Sequence, residues 1–292
     1  MKLLLLGRNG QVGWELQRSL APLGELVALD SASADFRQTD PLAETVMALR
    51  PDVIVNAAAH TAVDRAESEP EIARQINATA PGILADAAQR IGALMVHYST
   101  DYVFDGSGST PWKEGDATGP LGVYGRTKLE GEQRVAAHCA KHLIFRTSWV
   151  YSARGGNFAK TMLRLAKERD RLTVVEDQFG APTGAELIAD VTAHAIRDVL
   201  RDSGMAGLYH LAAGGETTWN GYARFVVEQA LAAGAVLKAT PATVDAVPTS
   251  AFPTPAVRPR NSRLDTRKLQ LAFGLRLPPW QEGVARVLRE TL

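Results

Sequence analysis

The feature that most constrains the fold of this chain is a glycine-rich turn that follows a short apolar run near the amino terminus. Residues 3–6 are four consecutive leucines, which is typical of a parallel strand covered on both faces. Gly7, Gly10 and Gly13 follow with two residues between successive glycines, and Val12 begins a series of apolar residues at helical spacing. A strand, a glycine turn and a helix in this order predict a turn that can approach a pyrophosphate closely.

Strands and helices alternate throughout the first half of the sequence. Short apolar runs predict four further strands, at 26–29, 53–55, 94–98 and 143–145. This alternation with short connections predicts an α/β fold of the Rossmann type, a doubly wound parallel sheet with helices on both faces. One helix is expected to begin near Ser68, to face inward with Ile72, and to kink or split at Pro81.

The alternation loosens after about residue 149. The predicted elements that follow are two helices, at 158–168 and 185–200, and two strands, at 172–175 and 208–211. Five prolines between 241 and 259 exclude a continuous helix there and favour an ordered loop. We therefore expect a dinucleotide-binding domain over 1–148, to which later segments return, and a smaller, mixed substrate-binding lobe over most of 149–292.

The charge balance and the cysteine count exclude several classes of protein. The 32 basic and 32 acidic residues cancel, so the chain offers no overall charge for a nucleic acid or an anionic membrane. Cys139 is the only cysteine, which excludes an intrachain disulfide and fits a reducing compartment. No apolar run reaches the roughly 20 residues of a membrane span, and the apolar opening is too short for a secretion signal. We expect a cytoplasmic protein.

A carboxylate follows the glycine turn where a dinucleotide-binding site requires one. The helix after the turn offers its N-terminal N–H groups and positive dipole end to phosphates. Asp30 ends the second predicted strand, about 20 residues on, where its carboxylate can bind the adenosine ribose. Asp30 would repel the 2′-phosphate of NADPH, whereas Arg8 in the turn would offset that repulsion. We expect NADH to be favoured and NADPH to be used as well.

A small-residue segment follows the third predicted strand. Ala57, Ala58 and Ala59 would leave room for a dinucleotide over the sheet edge, although tight helix packing explains such alanines equally well. His60 and Thr61 come next on the same rim. We do not expect His60 to act as a base, because a lone histidine is more often structural.

Tyr124 and Lys128 lie one turn apart at the start of a helix predicted over 124–140, on one face. A free tyrosine has a pKa of about 10, and a lysine ammonium one turn away is expected to lower it. Thr100 ends the fourth predicted strand, where its hydroxyl could hydrogen-bond a carbonyl oxygen. These side chains indicate hydride transfer to a carbonyl carbon, with Tyr124 protonating the oxygen. Since such a pair also occurs by chance on exposed helices, the prediction depends on the whole series of motifs.

The order of glycine turn, Asp30, Thr100 and the Tyr124–Lys128 pair resembles the extended branch of the short-chain dehydrogenase/reductase superfamily. Within it, further segments resemble the family of dTDP-4-dehydrorhamnose reductases. These segments are Val53–Asp64, Tyr98–Phe104, Arg146–Tyr151, Gly180–Thr183 and Pro248–Ser250. The resemblance implies NAD(P)H-dependent reduction of the C4 ketone of dTDP-4-dehydro-β-L-rhamnose, the last step in making dTDP-L-rhamnose for surface polysaccharides such as the O antigen of lipopolysaccharide.

The resemblance also implies roles for individual residues. The implied catalytic residues are Thr100, Tyr124 and Lys128. The residues implied to bind the cofactor are Gly7, Gly10, Gln11, Val12, Gly13, Asp30, Asp35, Phe36, Ala59, His60, Thr61, Tyr124 and Lys128. The residues implied to bind the sugar nucleotide are Thr100, Asp101 and Trp149. A homodimer bridged by structural Mg²⁺ on Glu15, Glu186 and Glu290 is implied too, although these residues equally fit ordinary helix surfaces.

Two other functions remain open from the sequence. An epimerase or dehydratase that retains its NAD would need a base after Asp101, where dehydratases of this branch carry glutamate and this chain carries Tyr102. A non-catalytic regulatory subunit could lose its tyrosine or lysine, and this chain keeps both. Four cations are candidates for binding a substrate diphosphate, and each could be ordinary surface charge: Lys160, Arg258, Arg260 and Arg263. For stacking on the substrate, Trp149 is preferred to Trp219 and Trp280.

Overall fold

The structure is a computed structural model that describes residues 1–292, with twelve strands and eleven α-helices. The strands are β1 (Lys2–Leu6), β2 (Glu25–Leu29), β3 (Val53–Asn56), β4 (Leu94–Thr100), β5 (His142–Thr147), β6 (Val150–Tyr151), β7 (Leu172–Val175), β8 (Phe179–Gly180), β9 (Thr183–Gly184), β10 (Gly207–His210), β11 (Thr217–Thr218) and β12 (Val244–Val247). The helices are α1 (Gln11–Leu20), α2 (Thr39–Leu49), α3 (Val63–Ser68), α4 (Pro70–Arg74), α5 (Ala80–Ile91), α6 (Val123–His138), α7 (Phe158–Glu168), α8 (Ala185–Arg201), α9 (Trp219–Ala232), α10 (Arg267–Phe273) and α11 (Trp280–Thr291). None of the helices combines the length and apolar character that a membrane crossing needs.

Six strands form a parallel sheet in the order β2-β1-β3-β4-β5-β10. The chain places β2 on one side of β1 and β3 on the other, so the strand order reverses at β1. In open sheets of this kind ligands bind beyond the carboxyl ends of the strands at such a reversal. The predicted doubly wound α/β fold is confirmed, and the reversal places the glycine turn at the centre of this edge.

The leucine run of β1 is buried on both faces of the sheet. Leu3 and Leu5 pack on one face with α1, α8 and α10, whereas Leu4 and Leu6 pack on the other with α2, α5 and α6. Successive side chains of a strand point to opposite faces, so a strand covered by helices on both sides must be apolar at every position. Full burial of one such side chain stabilises the fold by about 1.5–3 kcal/mol.

A second core lies away from the sheet, around α7, α9 and α11. There β12 pairs in parallel with β7, aligning Val244 with Leu172. The prediction of a loop throughout 241–259 is wrong for Val244–Val247, because this proline-free stretch between Pro241 and Pro248 keeps the N–H groups that a ladder requires. Since β10 returns to the sheet, elements beyond residue 148 belong to both cores; the division of the chain at 148 stays a prediction.

The helical segment after β3 is broken where the sequence predicts an irregularity near Pro81. Between α4 and α5 the chain makes one turn of π-helix over Gln75–Thr79, and Pro81 then lies in the first turn of α5, where proline is tolerated. The prediction that Ile72 faces inward is wrong, because Ile72 is 42% exposed. The π turn rotates the residues of α5 about the helix axis relative to those of α4. A single helical spacing of apolar residues therefore cannot predict the buried face of both helices.

A buried ion pair ties α6 to the sheet. The Arg146 guanidinium on β5 donates two hydrogen bonds to the Glu132 carboxylate on α6, at 2.9 and 2.7 Å. Both side chains are buried, and the guanidinium lies 5.0 Å from the centre of the Phe104 ring. The pair therefore fixes the helix that carries Tyr124 and Lys128.

Replacing Glu132 with alanine should destabilise the protein strongly, since it leaves the Arg146 charge buried without a partner. Loss of one partner of a buried pair costs about 3–5 kcal/mol, whereas an exposed pair contributes about 0–1 kcal/mol. The exposed pair Arg164–Glu168 supplies the control variant Glu168→Ala. Urea unfolding followed by circular dichroism measures both; equal midpoints for the two variants would contradict the role given to the Arg146–Glu132 pair.

Candidate active site

The glycine turn packs against the carboxyl end of β3. Gly7 has a φ of +87°, and a Cβ there would lie 2.7 Å from the backbone nitrogen of Ala58. A Cβ on Gly13 would lie 2.1 Å from the carbonyl oxygen of Gly7, so α1 starts directly against the turn. Gly10 caps α1 without any side-chain hydrogen bond, and a Cβ there would meet only the Gly7 oxygen at 3.5 Å. The turn thus leaves the first N–H groups of α1 free for a ligand.

Asp30 lies beyond the end of β2, opposite the turn. Its carboxylate accepts hydrogen bonds from the backbone N–H groups of Ala32 and Ser33 and from the Asn9 amide, and it pairs with Arg8 at 3.0 Å. Partial desolvation acts to raise the pKa of Asp30, but these hydrogen bonds and the Arg8 charge outweigh it and lower the pKa. Asp30 is therefore an anion with a cation at its side.

Two adjoining cavities are lined by all the expected catalytic, cofactor-binding and substrate-binding residues except Gly13. The glycine-turn cavity, of about 520 Å³, is lined by Gly7, Gly10, Asp30, Asp35, Phe36, Ala59 and His60 among others. The tyrosine cavity, of about 550 Å³, is lined by residues that include Gly10, Gln11, Val12, Ala59, Thr61, Thr100, Asp101, Tyr124, Lys128 and Trp149. Gly10 and Ala59 line both, so the cavities meet at the glycine turn. Gly13 supports the turn from within α1.

The end of β4 holds Thr100 against the start of α6. The Thr100 hydroxyl donates to Asp101 Oδ1 at 3.0 Å and accepts from the Tyr102 N–H at 3.2 Å. The Tyr124 phenol lies near the Thr100 hydroxyl, which influences the pKa of the phenol. A Cβ on Gly125 would lie 2.2 Å from the Tyr102 carbonyl oxygen, so only glycine lets α6 bring Tyr124 this close to Thr100.

The prediction that Lys128 lowers the pKa of Tyr124 is wrong. Burial raises the pKa of Tyr124 to about 12; the neighbouring Thr100 hydroxyl opposes this rise, and the Asp101 charge adds to it. The Lys128 ammonium instead donates to the Tyr98 carbonyl oxygen at 2.5 Å, and burial lowers the pKa of Lys128 to about 8. The Tyr124 phenol therefore keeps its proton at neutral pH, as a proton donor must.

Two residues that sequence reasoning missed support the site. Asn77, in the π turn, accepts from the His60 N–H at 2.9 Å and donates to the His60 carbonyl at 3.1 Å. Burial raises the pKa of the Asp101 carboxyl to about 6, and the nearby Ser262 hydroxyl acts against that rise. A buried asparagine in an apolar helical stretch could have been noticed in the sequence, but Ser262 carries no local signal.

Trp149 has a strained backbone conformation and a stacked side chain. Its φ is +48°, and its ring stacks on Trp219 with the centroids 3.7 Å apart. Both tryptophans line the tyrosine cavity, and the preference for Trp149 as the residue that contacts the substrate stays a prediction. Trp280 packs in the second core.

The glutamates implied to bind magnesium do not assemble a metal site in this chain. Glu15 pairs with Arg18 at 3.4 Å, and Glu186 and Glu290 pair with Arg286 at 3.5 and 3.2 Å. No three acidic, histidine or cysteine side chains converge to hold a metal. Within one chain each of the three carboxylates is paired with an arginine, and the Mg²⁺ bridge between two chains stays a prediction.

The four candidate cations for a substrate diphosphate also have partners. Lys160 donates to the carbonyl oxygens of Ala153 and Gly155. The three arginines pair with carboxylates: Arg258 with Asp64 at 2.7 Å, Arg260 with Asp177 at 3.9 Å and Arg263 with Glu216 at 2.6 Å. None of the four lines the tyrosine cavity.

The chain has the fold of the short-chain dehydrogenases/reductases, and it carries the Tyr124–Lys128 pair beside a glycine turn. These features place it in that class of proteins. A family model described as RmlD substrate binding domain matches residues 1–292. The chain is 62% identical to dTDP-4-dehydrorhamnose reductases of Shigella flexneri and Escherichia coli K12, over 99% of its length and 98% of theirs. The chain belongs to the dTDP-4-dehydrorhamnose reductase family and is an oxidoreductase.

Solved structures agree with this assignment. A dTDP-4-dehydrorhamnose reductase from Clostridium acetobutylicum matches with a TM-score of 0.90 at 36% identity, and one from Bacillus anthracis in complex with NADP matches with 0.89 at 35%. Each match covers 99% of both chains. A dTDP-glucose 4,6-dehydratase and a UDP-glucose 4-epimerase, at 22% and 19% identity, share the fold alone.

Gly10→Ala should fold like the wild type but bind NADH at least about tenfold more weakly, because an added methyl group occupies space that a phosphate would approach. Gly13→Ala is the contrasting variant, since its Cβ collides with the backbone of the turn and should lower the melting temperature as well. Fluorescence titration with NADH and thermal unfolding measure the two effects. Wild-type NADH affinity in Gly10→Ala would remove the turn from the cofactor site.

Proposed function

We propose that this protein reduces the C4 ketone of dTDP-4-dehydro-β-L-rhamnose to dTDP-L-rhamnose with NADH or NADPH. The observation that carries the proposal is the Tyr124 phenol, whose pKa burial raises to about 12, beside Thr100 in a cavity that adjoins the glycine turn. The relatives carry this activity in their names, and one of the solved relatives has NADP bound.

The residues of the glycine turn fit a dinucleotide. Free N–H groups at the start of α1 and the absence of a side chain on Gly10 suit a pyrophosphate. Asp30 would bind the adenosine ribose, with Asp35 and Phe36 around the adenosine and Ala59, His60 and Thr61 beside the nicotinamide half. The bound cofactor supplies the hydride.

Tyr124, Thr100 and Lys128 serve the proton-transfer half of the reaction. As the C4 oxygen gains negative charge, Tyr124 donates its proton to that oxygen, and the Thr100 hydroxyl holds the oxygen by a hydrogen bond. The positive charge of Lys128, one turn from Tyr124, compensates the phenolate that remains. Asp101 and Trp149 would contact the sugar.

The rival functions have no comparable support. The residue after Asp101 is Tyr102, whereas a dehydratase needs a carboxylate that can act as a base at this position. The Tyr102 ring packs edge-on against Tyr124, with the ring centroids 5.5 Å apart. A regulatory subunit does not require a lysine buried beside a tyrosine. Substrate-dependent oxidation of NADH with dTDP-4-dehydro-L-rhamnose tests the proposal, and no loss of NADH or NADPH absorbance with this substrate would overturn it.

We also propose the organisation implied by the sequence: cofactor binding mainly by 1–148, sugar-nucleotide binding mainly by 149–292, and action in the cytoplasm on the route to surface polysaccharides such as the O antigen. The buried free thiol of Cys139 suits a reducing compartment.

Tyr124→Phe should lower kcat by about 100-fold or more, because general acid catalysis contributes about 10²–10⁴-fold. Cofactor affinity should stay close to that of the wild type, since the phenyl ring still fills the cavity. Tyr209→Phe, which removes a hydroxyl bonded to the Met205 carbonyl, is the matched control and should keep the wild-type rate. Steady-state assays at saturating NADH measure both; a kcat of Tyr124→Phe within a few-fold of the wild type would exclude Tyr124 as the donor.

Arg8→Gln should shift the cofactor preference toward NADH. The guanidinium of Arg8 neutralises Asp30 and can bind a 2′-phosphate, and a hydrogen bond to a charged group contributes about 1.5–3 kcal/mol, so kcat/KM with NADPH should fall about tenfold or more relative to NADH. Arg90→Gln, which breaks an exposed pair with Asp86, is the control. An unchanged ratio in Arg8→Gln would show that Arg8 does not contact the phosphate.

We further propose a homodimer whose interface includes Glu15, Glu186 and Glu290 and is bridged by Mg²⁺. Burial raises the pKa of Glu186, and the charges of Glu290, Glu15 and Asp190 raise it further against Arg286. A divalent cation from solution and a second copy would relieve this repulsion. Sedimentation equilibrium should give a dimer in Mg²⁺ and a lighter species in EDTA; one mass in both conditions would contradict the bridge.

A further inference from the structure

The Asp101 carboxyl is a buried acid next to the proton donor. Asp101 is 2% exposed, and it lines the tyrosine cavity together with Thr100 and Tyr124. Its Oδ1 accepts the hydrogen bond from the Thr100 hydroxyl at 3.0 Å, whereas its Oδ2 is buried without a hydrogen-bond partner. A buried oxygen that lacks a donor makes the ionised form of a carboxyl costly.

The Thr100 hydroxyl can serve only a limited number of partners, because a hydroxyl has one proton to donate and two lone pairs that accept. Thr100 Oγ1 accepts from the Tyr102 N–H at 3.2 Å, which uses one lone pair, and gives its only proton to Asp101. In this arrangement Thr100 has no proton for a second acceptor, such as a ketone oxygen.

The proposed reduction requires the Thr100 hydroxyl to point the other way. Negative charge develops on the ketone oxygen, so Tyr124 and Thr100 must both donate to it. If Asp101 is ionised, turning the Thr100 proton toward the ketone leaves the Asp101 and Thr100 oxygens facing each other as two acceptors. If Asp101 carries a proton, its O–H donates to the second lone pair of Thr100 Oγ1, and Thr100 can give its own proton to the ketone.

Burial favours the neutral form of Asp101. It raises the pKa of this carboxyl to about 6, and the hydroxyls of Ser262 and Thr100 offset the rise only in part. On the side of α3, the nearest cation, Arg258, is already paired with Asp64 at 2.7 Å. A bound sugar nucleotide would exclude water from the cavity and bring a diphosphate anion, and both effects favour the neutral carboxyl further.

The titratable groups around Asp101 in the tyrosine cavity do not hold it ionised. The phenols of Tyr102 and Tyr124 have raised pKa values and are neutral. The Lys128 ammonium donates to a backbone carbonyl oxygen, that of the residue two before Thr100. None of these charges counters the effect of burial on the pKa of Asp101.

We infer that Asp101 works as a neutral carboxylic acid that sets the direction of the Thr100 hydroxyl: the Asp101 O–H donates to Thr100, and Thr100 in turn donates to the ketone oxygen. This inference deepens the proposed function and rests on it. Asp101 is in this respect a positioning residue, because it acts on the reacting oxygen through Thr100. The ionised form of Asp101 takes the Thr100 proton and leaves Tyr124 as the single donor to the ketone.

The pH dependence of kcat/KM tests the inference, since this ratio reports ionisations of the free enzyme. The active, protonated form of Asp101 is lost as the pH rises through its pKa of about 6. The wild-type kcat/KM for the keto sugar should therefore fall by about tenfold or more between about pH 5.5 and about pH 7.5. Asparagine keeps the shape of aspartate and has N–H donors that do not ionise, so kcat/KM of Asp101→Asn should change less than about twofold over this range. An equal fall in both proteins would overturn the inference.

Two further variants separate the hydrogen bond from the mere filling of space. Asp101→Leu has a side chain of similar size but no donor, so its kcat should be about tenfold or more below that of Asp101→Asn. Asp86→Asn removes an exposed carboxylate on α5 that pairs with Arg90, and it should keep the pH dependence of the wild type. Equal kcat values for Asp101→Asn and Asp101→Leu would exclude a donor at this position.

Infrared difference titration observes the Asp101 proton without turnover. The wild type should show the carbonyl stretch of a protonated carboxyl that is absent from Asp101→Asn and disappears as the pH rises through about 6; a carboxyl already ionised at about pH 5 would overturn the inference. If the wild type reduces the keto sugar and Asp101→Asn keeps the same pH dependence, only the role of Asp101 is wrong. If the infrared signal is found but no NADH is oxidised with the keto sugar, the neutral acid stands and the reductase assignment fails.

Discussion

The site depends on the close contact between the start of α6 and the end of β4. Gly125 lies against the Tyr102 carbonyl oxygen with no space for a side chain, and the buried Arg146–Glu132 pair holds the rest of α6 on the sheet. Through these contacts Tyr124 reaches the Thr100 hydroxyl. A helix displaced by the width of one methyl group would separate the proton donor from the residue that positions the substrate oxygen.

Burial, more than neighbouring charge, sets the protonation of the site. It raises the pKa values of Tyr124 and Asp101 and lowers that of Lys128, each in the direction that desolvation dictates. For ketone reduction a phenol that holds its proton is the required form, because the proton must still be present when negative charge develops on the oxygen. A phenol with a strongly lowered pKa would suit the oxidation of an alcohol better.

Much of the fold followed from the sequence, because parallel strands buried on both faces and a glycine turn leave clear local patterns. The same patterns gave the residues that the structure gathers around the two adjoining cavities. The π turn and its buried Asn77 were missed, because the residues before and after a π turn do not follow one helical spacing. Ser262 was beyond sequence reasoning about local motifs, and so was the pairing of Arg258 with Asp64, because these contacts join segments about 160 to 190 residues apart. The pKa of Tyr124 was predicted in the wrong direction, since spacing reveals a nearby lysine but not the extent of burial.

The central claim is that Tyr124 enters the reaction as a protonated phenol. Ultraviolet difference titration near 295 nm, comparing the wild type with Tyr124→Phe, observes the ionisation of this one residue. The account predicts no tyrosinate signal specific to the wild type up to about pH 10, a free tyrosine's pKa. A tyrosinate that titrates in the wild type between about pH 7 and pH 9, and is missing from Tyr124→Phe, would contradict it.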